Sequence, residues 1–147
     1  MPASAARSLH IAEPAPRKLS RPAVVADASV VAAAIFVEPQ FELAWQRLAG
    51  ASLHAPWLID IEIGLVALSK SRGRHRELAD AGMLQYAGLA IWRHSVDVAP
   101  LVSLATRYQL TVYDAAYLLV ASELRAPLIT FDTKLAEAAR LHLGSLQ

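Results

Sequence analysis

The sequence predicts an α/β fold in which a central parallel sheet is covered by helices on both faces. Three observations lead there. Short apolar runs alternate with helical stretches from Ala23 onward, and strands separated by helices favour parallel pairing with crossovers. Hydrophobic residues make up 55% of the chain and charged residues 18%, enough apolar surface for a well-covered core. Acidic residues sit directly after buried-looking runs, where the carboxyl ends of parallel strands form a ligand crevice.

The elements follow in order. The run AVVA at 23–26 is a short strand ending at Asp27. A helix is predicted over 30–37, Pro39 punctuates, and a second helix covers 41–48. Pro56 suits the first turn of a long helix reaching about Lys70. Residues 74–88 are helical in composition, but Gly82 interrupts the pattern and leaves the register open. A strand is expected at 89–92 and a helix at 100–108. The last third is the clearest: a helix over 112–124, a buried strand over 127–131 and an amphipathic helix over 133–141.

At 147 residues the chain fits one domain. Residues 1–21, rich in Ala, Ser, Pro and Arg, show no periodicity and no apolar centre of a secretory signal, and are expected to form a flexible extension before a domain at 22–147. No apolar run approaches the ~20 residues of a membrane helix, so no membrane partner is expected. The absence of cysteine removes disulfides, thiolate ligands and thiol nucleophiles, and fits a reducing, cytoplasmic setting. Arg7, Arg17, Lys18 and Arg21 against Glu13 give the first 21 residues a net +3, which leaves −2 for the rest. The folded part is therefore no general magnet for polyanions, and attraction would have to come from bound metal and local basic patches.

Four carboxylates are the candidate site: Asp27, Glu62, Asp114 and Asp132. Each follows an apolar run, and ionised carboxylates in such places need pairing, hydrogen bonds or a metal. Each also has a structural reading. Asp27 and Asp132 both read as helix N-caps, Asp27 with Ser29 able to take the cap instead. Thr111 and Asp114 have the spacing of a capping box. Glu62 has no such role; it shares a helix side with Leu58, Leu65, Val66 and Ser69, whereas Asp60, about 200° away, reads as a favourable first-turn charge. Helix starts after parallel strands converge on one sheet edge, so even acidic caps there lie near one another.

Oxygen ligands without Cys or clustered His favour Mg²⁺ or Mn²⁺ over zinc. His10, His54, His75, His94 and His142 are scattered, without metal-ligand spacing. Lys70, Arg72, Arg74, His75 and Arg76 form a basic cluster that reads first as the solvated end of a helix and second as a grip for phosphates. Tyr113, Tyr117, Trp57 and Trp92 read as core residues.

The segments VVADASVV, HAPWLIDIEIGLVAL and LTVYDAAYLLVASELRAPLITFDTKLAEAA together resemble a PIN-domain ribonuclease of the VapC toxin type, over residues 23 to 141. The resemblance implies a PIN-like three-layer fold, with Asp27, Glu62, Asp114 and Asp132 holding Mg²⁺ or Mn²⁺ and Ser29 and Thr130 as supporting hydroxyls. It also implies cleavage of RNA, homodimerisation and inhibition by a cognate antitoxin. Leu65 departs from the pattern, since many relatives carry Asn there, which removes polarity beside the site. Two other readings stand beside the metal-dependent toxin: a non-catalytic PIN-like binding module, and a phosphatase using Asp27 as nucleophile. Ser29 stands where haloacid-dehalogenase-like phosphatases usually place a second Asp.

Overall fold

The computed structural model describes residues 21–146. The expected extension therefore lies outside the described residues, apart from Arg21. The elements in chain order are β1 (Ala23–Ala26), α1 (Ala28–Ile35), α2 (Phe41–Leu48), β2 (Ser52–Pro56), α3 (Ile59–Arg72), α4 (Arg76–Gly88), β3 (Ile91–His94), α5 (Val98–Tyr108), α6 (Val112–Leu124), β4 (Leu128–Ile129) and α7 (Thr133–Gly144). The four strands form one sheet in the order β3-β2-β1-β4, and every pair is parallel.

Helix α6 packs on β1, β2 and β4 and carries α5 and α7 beside it, while α1, α3 and α4 pack on one another as the second helical layer. Because both faces are covered, β1 reads as continuous apolar sequence rather than an alternation; Val25 and Ala26 are both buried. The centre of the core is α1 and α6, whose Val30–Ile35 and Ala115–Ala121 are buried without a break. A helix apolar on all sides belongs in the middle of a domain.

Four expectations need correction. Residues 52–56 form the central strand β2, not the approach to a helix. The sequence SLHAP has weak strand propensity, but it is held by ladders on both sides. Pro56 ends the strand, where a missing N–H costs little, and Trp57 N donates to His94 O to continue the ladder. Strand β4 is only two residues long, because β1, the strand it pairs with, ends opposite Ile129 and turns into α1. Trp57, Trp92 and Tyr113 are 59%, 66% and 62% exposed, so of the four aromatics assigned to the core only Tyr117 is there. Helix α3 buries Ile59, Ile63 and Ala67 most deeply, and of the side that Glu62 shares, Leu58 and Val66 pack against the core while Leu65 and Ser69 are exposed, so Glu62 stands at the margin of the core face and not within it.

Gly82 does not break α4. An added Cβ would sit 2.3 Å from the Phe36 ring and 2.9 Å from Ile35 O, so glycine is the residue that lets α4 close on the end of α1.

Candidate active site

The strand order reverses between β1 and β4, and the crevice beyond their carboxyl ends is where such sheets bind ligands. Asp27 is the residue after β1, and Asp132 lies three residues beyond Ile129, the end of β4. Glu62 enters from the first turn of α3 and Asp114 from the first turn of α6. The fold thus brings four carboxylates from four elements to one sheet edge.

Asp27 is 6% exposed, the only buried polar or charged residue among the described residues. It occupies the N-cap position of α1, yet its side chain makes no capping bond. Instead Oδ2 accepts from Ser29 Oγ and from Thr130 Oγ1, each at 2.7 Å. No buried side-chain oxygen or nitrogen among the described residues lacks a partner, so Oδ1, which accepts neither bond, is the atom through which Asp27 meets the surface. The two hydroxyls are themselves fixed: Phe131 N donates to Ser29 Oγ at 3.2 Å, and Asp132 N donates to Thr130 Oγ1 at 2.9 Å. Ser29 and Thr130 therefore lock the loop after β4 onto the tip of β1 and hold the Asp27 carboxylate in one orientation.

The other three acids split between capping and availability. Asp132 caps α7 as expected, Oδ1 accepting from Leu135 N at 2.7 Å. Thr111 caps α6 by accepting from Asp114 N, which is half of a capping box. Glu62 accepts a 2.5 Å hydrogen bond at Oε2 from the hydroxyl of Tyr117. Burial raises the Glu62 carboxyl above its ordinary value against the opposing pull of that bond, with Asp27 and Asp114 adding to the rise. Asp114 is raised as well, chiefly by burial, with Asp132 and Asp27 adding and the Thr111 bond and Lys134 opposing. The acids feel one another, and none of the four is ion-paired among the described residues.

Asp60, only two residues from Glu62, shows what a structural acid looks like in this fold. It accepts from Arg93 at 2.7 and 2.8 Å and from Tyr86 at 2.7 Å. The Arg93 hydrogen bond holds its carboxyl below the ordinary value. Nothing in the sequence signalled this partner on β3. Tyr117 had a signal that went unused: it follows Asp114 by three residues and so shares a helix side with it.

Among the described residues no three His, Asp or Glu side chains stand close enough to enclose an ion, so the acids form an open cluster. Their chemistry nonetheless fits a hard divalent cation: oxygen donors, mutual repulsion and no cationic side chain paired with them. A concavity of about 430 Å³ beside Glu62 is lined by Ser29, Ala32, Leu65 and Phe131 among others. A larger one, about 510 Å³, follows β4 between α2 and α7 and holds Thr130 but none of the four acids.

The basic cluster lies at the far end of α3, in the turn after it and at the start of α4. Arg72 is ten residues from Glu62, ~15 Å along the helix, and Arg72, Arg74 and Arg76 are exposed. Lys70 is ion-paired with Glu38 at 3.5 Å. Of the histidines, His54 and His94 bond each other across β2 and β3 at 2.9 Å, and His142 is held by Tyr108 and Ser122. None of these three histidines hydrogen-bonds to any of the four acids.

Comparison with known proteins agrees with this geometry. Residues 24–141 match the PIN domain family model. The chain is 33% identical over 123 residues to ribonuclease VapC9 of Mycobacterium tuberculosis, covering 80% of this chain and 91% of that one. The same figures hold for VapC ribonuclease Mb0985 of Mycobacterium bovis. With the parallel sheet in the order β3-β2-β1-β4, the acids at its carboxyl edge and a match spanning the domain, the chain belongs to the PIN domain family.

Proposed function

We propose that the chain is a metal-dependent ribonuclease, the toxin of a toxin–antitoxin pair, that hydrolyses RNA phosphodiester bonds with water. The observation that supports this reading is that Asp27, Glu62, Asp114 and Asp132 lie as an open cluster at the switch-point edge of the sheet, with Glu62 and Asp114 raised by burial and by neighbouring acids and none of the four ion-paired among the described residues. Mg²⁺ or Mn²⁺ would be held by these four carboxylates, and when bound would supply water of lowered pKa and positive charge for the phosphate oxygens. Asp27 presents Oδ1 while Ser29 and Thr130 fix its orientation. Asp132 divides its oxygens between the cap of α7 and the site. No side-chain nucleophile is needed.

Two partners follow from the similarity to VapC ribonucleases: RNA as substrate and an antitoxin protein as inhibitor. Arg72, Arg74 and Arg76, with Lys70, are the residues assigned to the RNA backbone at a distance from the reacting phosphate. The exposed Ile61, Leu65 and Leu68 on the outer side of α3 support burial against a second protein chain, a second copy or the antitoxin.

The mechanism is tested by cleaving RNA in heavy-oxygen water with Mn²⁺ present. Incorporation of one solvent oxygen into the terminal phosphate is expected. Products ending in 2′,3′-cyclic phosphate would show that the RNA hydroxyl, not water, is the attacking group.

A further inference from the structure

Helices α3 and α6 belong to different layers, yet one side chain joins them over the edge of the sheet. Tyr117, on α6, is fully buried, and its hydroxyl donates to Glu62 Oε2 on α3. It is the only side-chain donor to Glu62 among the described hydrogen bonds. The rest of the nearby wall gives Glu62 no described hydrogen bond: Leu65 and Val66 lie on its own helix and Ala28 and Ala32 on α1, while of the polar residues that share the concavity Ser29 donates to Asp27, Glu38 pairs with Lys70, and Gln40 makes no described bond to Glu62. Glu62 has three rotatable side-chain bonds and stands at the margin of the core, between partly buried Leu58 and Val66 and exposed Leu65. Without a fixed donor its carboxylate would sample several rotamers, most of them away from Asp27.

We infer that Tyr117 is the positioning residue for Glu62: by engaging Oε2 it aims Oε1 at Asp27 and Asp114 and so completes the cation site. The inference rests on the metal-dependent reading above. Tyr117 touches neither ion nor substrate in this account and acts through Glu62. Its ring is anchored by burial in α6, one turn from Asp114, so a single helix supplies one acid directly and orients a second. A partner that orients a ligand commonly changes ion affinity by ~10–100-fold when removed.

The test is the binding of Mn²⁺ to the purified full chain, followed by the paramagnetic resonance of free Mn²⁺, for the wild type, Tyr117→Phe and Glu62→Asp, with thermal midpoints measured in parallel. Tyr117→Phe keeps the ring and removes only the donor. The expected result is Mn²⁺ affinity weakened by ~10-fold or more with a retained cooperative transition, and kcat for RNA cleavage falling with KM little changed. Unchanged Mn²⁺ affinity in a folded Tyr117→Phe protein, even with a lowered midpoint, would make the hydroxyl a structural contact and overturn the inference. If Tyr117→Phe does not fold, Glu62→Asp decides: it keeps the charge but draws it back by one methylene, so wild-type affinity would show that the aim of this carboxylate is immaterial. Failure of the wild type itself to bind Mn²⁺ would sink the metal-dependent reading, a result distinct from equal binding by wild type and variant.

Discussion

In the proposed centre Asp132 has two roles on its two oxygens, the cap of α7 and the ion, and they separate by substitution. Asn caps a helix as well as Asp does, so Asp132→Asn is expected to leave stability unchanged while weakening Mn²⁺ binding. Asp132→Ala loses the bond to Leu135 N as well and should cost about 1 kcal/mol in urea denaturation. Equal losses in the two variants would show that the cap is the residue's whole contribution. Glu62 and Asp114 make a different prediction. Both are raised in the fold, so the folded state binds more protons than the unfolded chain as pH rises from the ordinary carboxylate range near ~4 to the raised values. Stability of the metal-free protein must therefore fall across that window and stay reduced above it. Added Mn²⁺ should raise the thermal midpoint at neutral pH and do little below the window. A midpoint that rises through the window would contradict the assigned shifts.

At the scale of elements, Gly82 and β2 show what local sequence conveys and what it hides. Gly82 marks an interruption in a helical pattern, but its cause, the Phe36 ring lying where a Cβ would go, is a contact forty-six residues away in sequence. Gly82→Ala should therefore destabilise by about 1–3 kcal/mol despite the better helix propensity of Ala, which denaturant unfolding would measure. A gain in stability would mean that α4 and α1 are not packed as described. The helices α2 and α6 were legible to the residue because amphipathic or fully apolar periodicity and a Thr111 cap are local signals. Strand β2 was not, because a central strand with His54 in its middle owes its conformation to two neighbours and not to its own composition. The same division holds within the site. Asp27, Glu62, Asp114 and Asp132 stand out as carboxylates after apolar runs. The donors that hold them, Tyr117 to Glu62 and Thr130 to Asp27, join residues 55 and 103 positions apart. Thr130 stands out only through the family resemblance, and Tyr117 reads in local sequence like any other core aromatic.

Across the whole molecule, the order β3-β2-β1-β4 is what turns separate acidic helix starts into one centre. It places β1 and β4 side by side, so that Asp27 and the Thr130–Asp132 loop share hydrogen bonds, and α3 and α6 deliver Glu62 and Asp114 from the two layers. Family membership and the sheet are consistent with each other, and the function proposed for this edge is that of an ion-dependent centre that hydrolyses RNA. The most direct test is cleavage of a labelled single-stranded RNA by the purified chain, stripped with chelator and resupplied with Mn²⁺, for the wild type and for Asp27→Asn and Asp114→Asn. No cleavage is expected after stripping, with restoration by Mn²⁺ for the wild type and losses of ~100-fold or more in both folded variants. Full activity in the chelated wild type or in either variant would contradict the proposed function.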